Sequence, residues 1–222
     1  MLDPLWSAVD QSLTEQLVFE DAGLADAVRS MTEAGLPTIQ VTPTQGKFLH
    51  LLARAIRATR ILEIGTLAGY STIWLARALP AGGSLTTLEI DPARAAIARA
   101  NVDSAGVGAL VDIRVGKAMD TLKAFEIDRP LPFDLVFIDA DKAHVAEYTE
   151  RSAALCRPGA IILVDNVVRN GRILESESDD PSVVGVRSLF DRVAANMRLP
   201  ATVVQTVGSK GHDGFLMTVV GA

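Results

Sequence analysis

Short runs of apolar, β-branched residues recur along the chain, and between them the apolar positions fall at helical spacing. The runs are "RILEIG" (60–65), "SLTTLEI" (84–90), "LVDIRVG" (110–116), "FDLVFID" (133–139) and "AIILVDN" (160–166). Several are almost continuously apolar, which marks strands buried on both faces. The intervening "YSTIWLARAL", "PARAAIARANVDSAG", "AMDTLKAF" and "AHVAEYTERSAALC" have the length and period of helices. This alternation predicts an α/β fold with a parallel sheet covered by helices on both faces. Residues 1–35 predict one or two amphipathic helices and no strand. "VTPTQGKFLHLLARAI" predicts a helix with Thr42 as N-cap, Pro43 at its first position and Gln45 placed to close a capping box. After the polar loop "RNGRILESESDD", whose run "ESESDD" is read as solvated and mobile, a helix is expected from Pro181. A closing pair of strands, "TVVQTV" and "GFLMTVV", follows. Without a repeat or low-complexity linker, the chain reads as one domain over 1–222, with N-terminal helices to residue 58 and the core from 59.

Composition narrows the setting. Apolar residues make up 49% and charged residues 22%, as in a soluble globular protein. The net charge of -6 comes without a basic stripe, which argues against nucleic acid as the main partner. Cys156 is the single cysteine, so an intramolecular disulfide is ruled out and a thiolate metal site disfavoured. The opening "MLDPLWSAVDQSL" has an acidic residue where a signal peptide carries basic ones. No apolar run approaches the roughly 18 residues of a membrane span. The expectation is a cytoplasmic protein with a small-molecule partner and neither membrane nor nucleic acid.

The chemistry-bearing residues stand where the strands end. Glu63, Glu89, Asp139 and Asp165 occupy four such ends, and in parallel sheets ligands bind outside the carboxyl ends of strands. In "LEIGTLAGYST" the glycines Gly65 and Gly69 permit a tight turn and close backbone approach. The middle glycine of a dinucleotide fingerprint is replaced by Leu67, and Glu63 beside the turn suits a cationic ligand better than a phosphate. Glu89, ending "TLEI", can accept from both hydroxyls of a ribose. A nucleoside with a cationic amino-acid arm, such as S-adenosylmethionine, fits the pair. A nicotinamide oxidoreductase shares the sheet and Glu89, and the glycine spacing and Glu63 count against it. In "FDLVFIDADK" two carboxylates and an amine fall within four residues. Buried unpaired charge costs several kcal/mol or more, so these groups need partners, water or a ligand.

"ILEIGTLAGYST", "TLEID", "FDLVFIDADK" and "LVDN", in this order and spacing, resemble the class I methyltransferases. More narrowly, they are similar to the metal-dependent catechol and caffeoyl-CoA O-methyltransferases of bacterial type, from about Thr38 to Asn166. The resemblance implies a Rossmann-like, seven-stranded, mostly parallel sheet with one reversed strand. It implies that Val41 packs against S-adenosyl-L-methionine and that Glu63, Gly65, Thr66 and Ser71 form the first cofactor loop. Glu89 matches the ribose carboxylate and Ala118 the residue whose backbone meets the adenine. Asp139, Asp165 and Asn166 match the ligands of a divalent cation, with Asp139 also among the cofactor contacts. Lys142 matches the base that deprotonates the acceptor hydroxyl. A homodimer with contributing N-terminal helices is implied as well.

The residue types agree with those roles. Two carboxylates and an amide oxygen form a hard set suited to Mg²⁺, Mn²⁺ or Ca²⁺. Three protein ligands leave about three octahedral positions, enough for both oxygens of a vicinal diol. A lysine serves as base near neutrality only where its surroundings disfavour the ammonium form. Asp141 is read as a helix N-cap, Trp74 as core, and His50 and His212 as structural or surface residues. Arg169, Asn170 and Arg172 lie where the resemblance borders the acceptor pocket. Pro37 and Asp141 stand where the vertebrate catechol enzyme has aromatic residues, and no coenzyme A contact set is evident. The acceptor stays open among small catechols, flavonoids and other vicinal diols. A base-modifying methyltransferase would carry an Asn/Asp-Pro-Pro-aromatic turn where "IDADK" stands. A non-catalytic S-adenosylmethionine-binding protein would have no need of Lys142 and a full ligand set.

Overall fold

The computed structural model describes residues 3–221. Its helices are α1 (Pro4–Leu17), α2 (Ala22–Glu33), α3 (Pro43–Ala55), α4 (Tyr70–Ala76), α5 (Pro92–Ser104), α6 (Ala118–Asp128), α7 (Val145–Ala154) and α8 (Pro181–Ala195). The strands are β1 (Arg60–Ile64), β2 (Ser84–Glu89), β3 (Val111–Val115), β4 (Phe133–Ile138), β5 (Cys156–Asp165), β6 (Ala201–Gly208) and β7 (Gly211–Val219). The seven strands belong to one mostly parallel sheet, the expected fold class. The N-terminal stretch forms two helices. All described elements are too short or too polar to be a membrane-crossing helix.

The chain packs as two compact units, residues 9–121 and residues 3–8 with 122–221. In the first, β3, β2 and β1 lie side by side and parallel, with Glu63 opposite Thr87. Ile61, Leu62, Ile64, Leu85 and Leu88 are buried there, which explains why these strands read as apolar runs. In the second, β4 and β5 are parallel, whereas β7 runs antiparallel to both β5 and β6. The reversed strand is therefore β7. All six residues of β4 are buried, while β6 is exposed along nearly its whole length. β5 begins at Cys156, earlier than the apolar run, and a register shift between Phe133 and Leu135 accommodates the extra length.

Helices α3, α5 and α8 each start with a capping residue followed by proline: Thr42-Pro43, Asp91-Pro92 and Asp180-Pro181. The cap oxygens accept from Gln45 N at 3.2 Å, Ala93 N at 2.8 Å and Ser182 N at 2.8 Å. Each cap is worth about 1 kcal/mol, and it fixes where the preceding loop must end.

Helix α8 lies against the short 3₁₀ turn Lys142–His144 through Gly185. A Cβ there would collide with the carbonyl of Lys142 and the Cα of Ala143, so the backbone beneath Lys142 is set by a missing side chain. Gly185→Ala should cost roughly 1–3 kcal/mol through overpacking, as a lower midpoint in urea unfolding. An unchanged midpoint would mean that α8 does not press on this turn.

Candidate functional site

The turn after β1 alternates left-handed residues: Gly65 (φ 102°), Leu67 (φ 51°) and Gly69 (φ 85°). Leu67 has a Cβ, so its conformation costs roughly 1–2 kcal/mol and must be held from outside. Glu89 holds it. The carboxylate, almost fully buried at the end of β2, accepts from Leu67 N at 2.9 Å, Thr66 N at 3.3 Å and Asp91 N at 3.0 Å. Three amides do not exhaust the lone pairs of a carboxylate, so Glu89 can still receive a hydroxyl while organising the loop.

Glu63 sits behind the turn with no exposed surface. Its oxygens accept from the hydroxyls of Ser71 (2.6 Å), Thr72 (2.5 Å) and Thr87 (2.7 Å). Thr66 shares a 2.6 Å hydrogen bond with Thr87. These hydroxyl donors offset the burial of the charge. In this geometry Glu63 holds Ser71 directly and Thr66 indirectly, through Thr87. Asn101 braces the turn from α5, donating to Ala68 O at 2.8 Å and to Ser30 on α2 at 2.8 Å.

Val41 is buried immediately before the α3 cap, and Ala118, half-buried, opens α6. Gly116 (φ 140°) donates to Glu89 O at 2.8 Å, tying the β3–α6 turn to the end of β2. Ile90, the residue after Glu89, is 64% exposed. Its apolar side chain is left out of the core beside the Glu89 carboxylate. Sequence reasoning passed over it because it reads as the last residue of an apolar run.

The second cluster lies at the ends of β4 and β5. Ile138 pairs with Val164, so one residue further on Asp139 and Asp165 stand at neighbouring strand ends. Asp165 is buried and accepts from Asn166 N at 2.9 Å, and Asn166 adopts a left-handed conformation (φ 56°) that asparagine tolerates. The Lys142 side chain is only 6% exposed, and its Nζ lies 3.0 Å from Asp139 Oδ1. Asp139 is itself partly open to solvent. Asp141 accepts from His144 N at 3.2 Å, His144 Nδ1 at 2.6 Å and the Tyr148 hydroxyl at 2.6 Å. Burial pulls the Asp141 carboxyl upward, but the bonds from Tyr148 and His144 outweigh it and hold it below the usual range. It is the cap of the Lys142 turn, as its sequence position predicts. Among the described residues no three His, Cys, Asp or Glu side chains gather as a metal cluster. The candidate set is two carboxylates with an amide.

The loop beyond Asn166 is held by a residue that sequence reasoning missed. Asp213, on β7, accepts through Oδ1 from Val168 N (3.0 Å), Arg169 N (3.0 Å) and Gly214 N (2.9 Å). Val167 N donates to Gly214 O at 3.0 Å, and His212 N to Asn170 Oδ1 at 3.2 Å. Asp213 is 44 positions from Arg169 in sequence, and no local pattern signals the capture. Arg172 is committed to Asp180 at 2.8 Å and Glu175 at 3.4 Å. The "ESESDD" stretch is solvated as expected, yet Arg187 ties it down through Ser176 O at 2.6 Å. His50 bonds to Trp74 O at 3.1 Å, and buried Trp74 packs on Gly46; His212 faces Gln205 on the exposed strand.

Residues 14–217 match the O-methyltransferase family model. The chain is 47% identical over 220 residues to the catechol O-methyltransferase of Niastella koreensis, covering 99% of this chain and 100% of that protein. It is 48% identical to the O-methyltransferase from Bacillus cereus solved in complex with SAH, with a TM-score of 0.95 over 97% of this chain and 98% of that one. It is 44% identical to the O-methyltransferase TomG from Streptomyces achromogenes, involved in tomaymycin synthesis and solved with SAM, with a TM-score of 0.97 and full coverage of both chains. With its family model spanning most of the sequence and these likenesses running nearly end to end, the chain belongs to the O-methyltransferase family.

Proposed function

We propose that this protein transfers the methyl group of S-adenosylmethionine to one hydroxyl of a catechol-type vicinal diol, with Asp139, Asp165 and Asn166 holding a divalent cation, Mg²⁺ foremost. The observation that carries it is the β4–β5 register, which sets two carboxylates at neighbouring strand ends with a buried amine on one of them. The relatives support the donor and acceptor classes: one is named a catechol O-methyltransferase, and two were solved with SAH or SAM. Family membership removes the nicotinamide alternative.

The donor fits the loops after β1 and β2. Glu89 takes the ribose hydroxyls, Ile90 offers a surface for the adenine, and the turn from Gly65 to Ser71 receives the amino-acid arm with Val41 alongside. Ala118 completes the adenine side through its backbone. The cation, when bound, supplies Lewis acidity toward a diol and two oxygen positions for it. Lys142 takes the proton from the hydroxyl that reacts, the oxygen bonds to the methyl carbon, and the carbon–sulfur bond breaks, leaving a neutral thioether. Opposite charges cancel in that step, so a water-poor pocket and fixed alignment favour it. Burial of Lys142 keeps the base in one place. The reading includes a homodimer in the cytoplasm. Exposed Leu5, Val9, Leu13 and Leu17, spaced four apart on α1, support a face that meets a second copy.

Glu89→Gln keeps the size of the side chain but replaces one acceptor oxygen by a donor. S-adenosylmethionine affinity should fall by about 1.5–3 kcal/mol, the scale of a lost hydrogen bond to a charged group. Calorimetry checks this, and unchanged affinity would remove Glu89 from the donor site.

The acceptor class is tested by comparing a catechol, its mono-methyl ether and the matching monophenol at saturating donor and Mg²⁺. A diol has a second oxygen to fix the direction of the first, and misplacement by about 1 Å can cost 10²-fold. The catechol should therefore be methylated once and the other two poorly. Comparable rates for all three would overturn the diol reading.

A further inference from the structure

The loop that carries Asn166 also carries a guanidinium without a counter-charge. Arg169 stands three residues beyond Asn166, with its backbone in the left-handed region (φ 56°), followed by Asn170 (φ 55°) and Gly171 (φ 80°). Asparagine tolerates this region, but Arg169 costs on the order of 1–3 kcal/mol there, and such strain persists only where surrounding structure over-determines it. Here it does. Asp213 captures the amides of Val168 and Arg169, and Asn170 receives His212 N. The clamp fixes where the Arg169 side chain leaves the backbone.

Its Nε is buried with no hydrogen-bond partner. No carboxylate among the described residues pairs with Arg169, although Arg172 on the same loop is paired twice. Asp213, the acid that touches its backbone, spends one oxygen on three amides. An orphaned buried donor on a permanently charged group calls for an explanation. A planar guanidinium recognises a carboxylate in two-pronged fashion and stays ionised at every working pH.

We propose that Arg169 is a specificity-determining residue that binds an ionised carboxylate on the acceptor, so that the preferred substrates are catechols bearing a carboxylate, on the ring or on a short side arm. This rests on the catechol reading above. It goes beyond it by assigning the charge of the substituent and the residue that reads it.

The test compares 3,4-dihydroxybenzoate with its methyl ester, which has the same diol without the charge, in the parent protein, Arg169→Gln and Arg169→Lys. The ratio of kcat/KM for acid over ester should be about 10-fold to 100-fold in the parent, the range for a charge-assisted hydrogen bond. It should fall toward one in Arg169→Gln and recover in part in Arg169→Lys. Mn²⁺ affinity, read by electron paramagnetic resonance, should be the same in all three, because the residue acts on the acceptor and not on the cation. A ratio near one in the parent, or an unchanged ratio in Arg169→Gln, overturns the proposal. So does equal loss on both acceptors with weakened Mn²⁺ binding, which is the signature of a structural role. Should the parent methylate neither acceptor, the catechol reading fails. Calorimetric binding of 3,4-dihydroxybenzoate then decides for Arg169: weaker binding in Arg169→Gln upholds it, equal binding overturns it.

Discussion

The contact between Lys142 and Asp139 is the constraint around which the β4–β5 end of the molecule is arranged. A lysine nitrogen only 6% exposed is expensive to leave without a partner, and Asp139 meets it at 3.0 Å. That contact needs the chain to turn sharply after β4. Asp141 caps the turn, and Gly185 gives it room from the other side. The same register that aligns Ile138 with Val164 sets Asp165 beside Asp139. Two acids and one amine are thereby brought to one end of the sheet.

The loops after β1 and β2 obey a parallel logic, with a carboxylate used as a scaffold. Glu89 spends three hydrogen bonds on the backbone of its own and the neighbouring turn. It thereby holds Leu67 in a conformation that the residue would otherwise leave. Glu63 does the same at one remove, through hydroxyls. A ligand arriving at such a site finds the turn already shaped, and less of its binding energy goes into ordering the loop.

What the sequence made legible follows from where apolar runs stop. Glu63, Glu89, Asp139 and Asp165 are visible because each interrupts or ends a buried strand, and Thr42 because a proline follows the cap. The reversed β7 was anticipated from the resemblance and from the closing pair. Less accessible were contacts made by chain folding alone. Nothing near Asp213 announces that it holds residues 168 and 169, and Gly185 looks like any helix glycine until α8 lies on the Lys142 turn. Glu63 was legible as a charge at a strand end, but the hydroxyls that claim it come from α4 and β2. Exposure was hidden too, since Ile90 has the composition of a core residue and is 64% exposed.

The central claim is that Asp139, Asp165 and Asn166 hold a divalent cation on which acceptor methylation depends. It is tested most directly by methyl transfer from S-adenosylmethionine to catechol in excess chelator and again after Mg²⁺ is restored, with circular dichroism followed throughout. The account predicts no turnover in chelator, an unchanged fold, and recovery of the rate with Mg²⁺ or Mn²⁺. A full rate in excess chelator would contradict it.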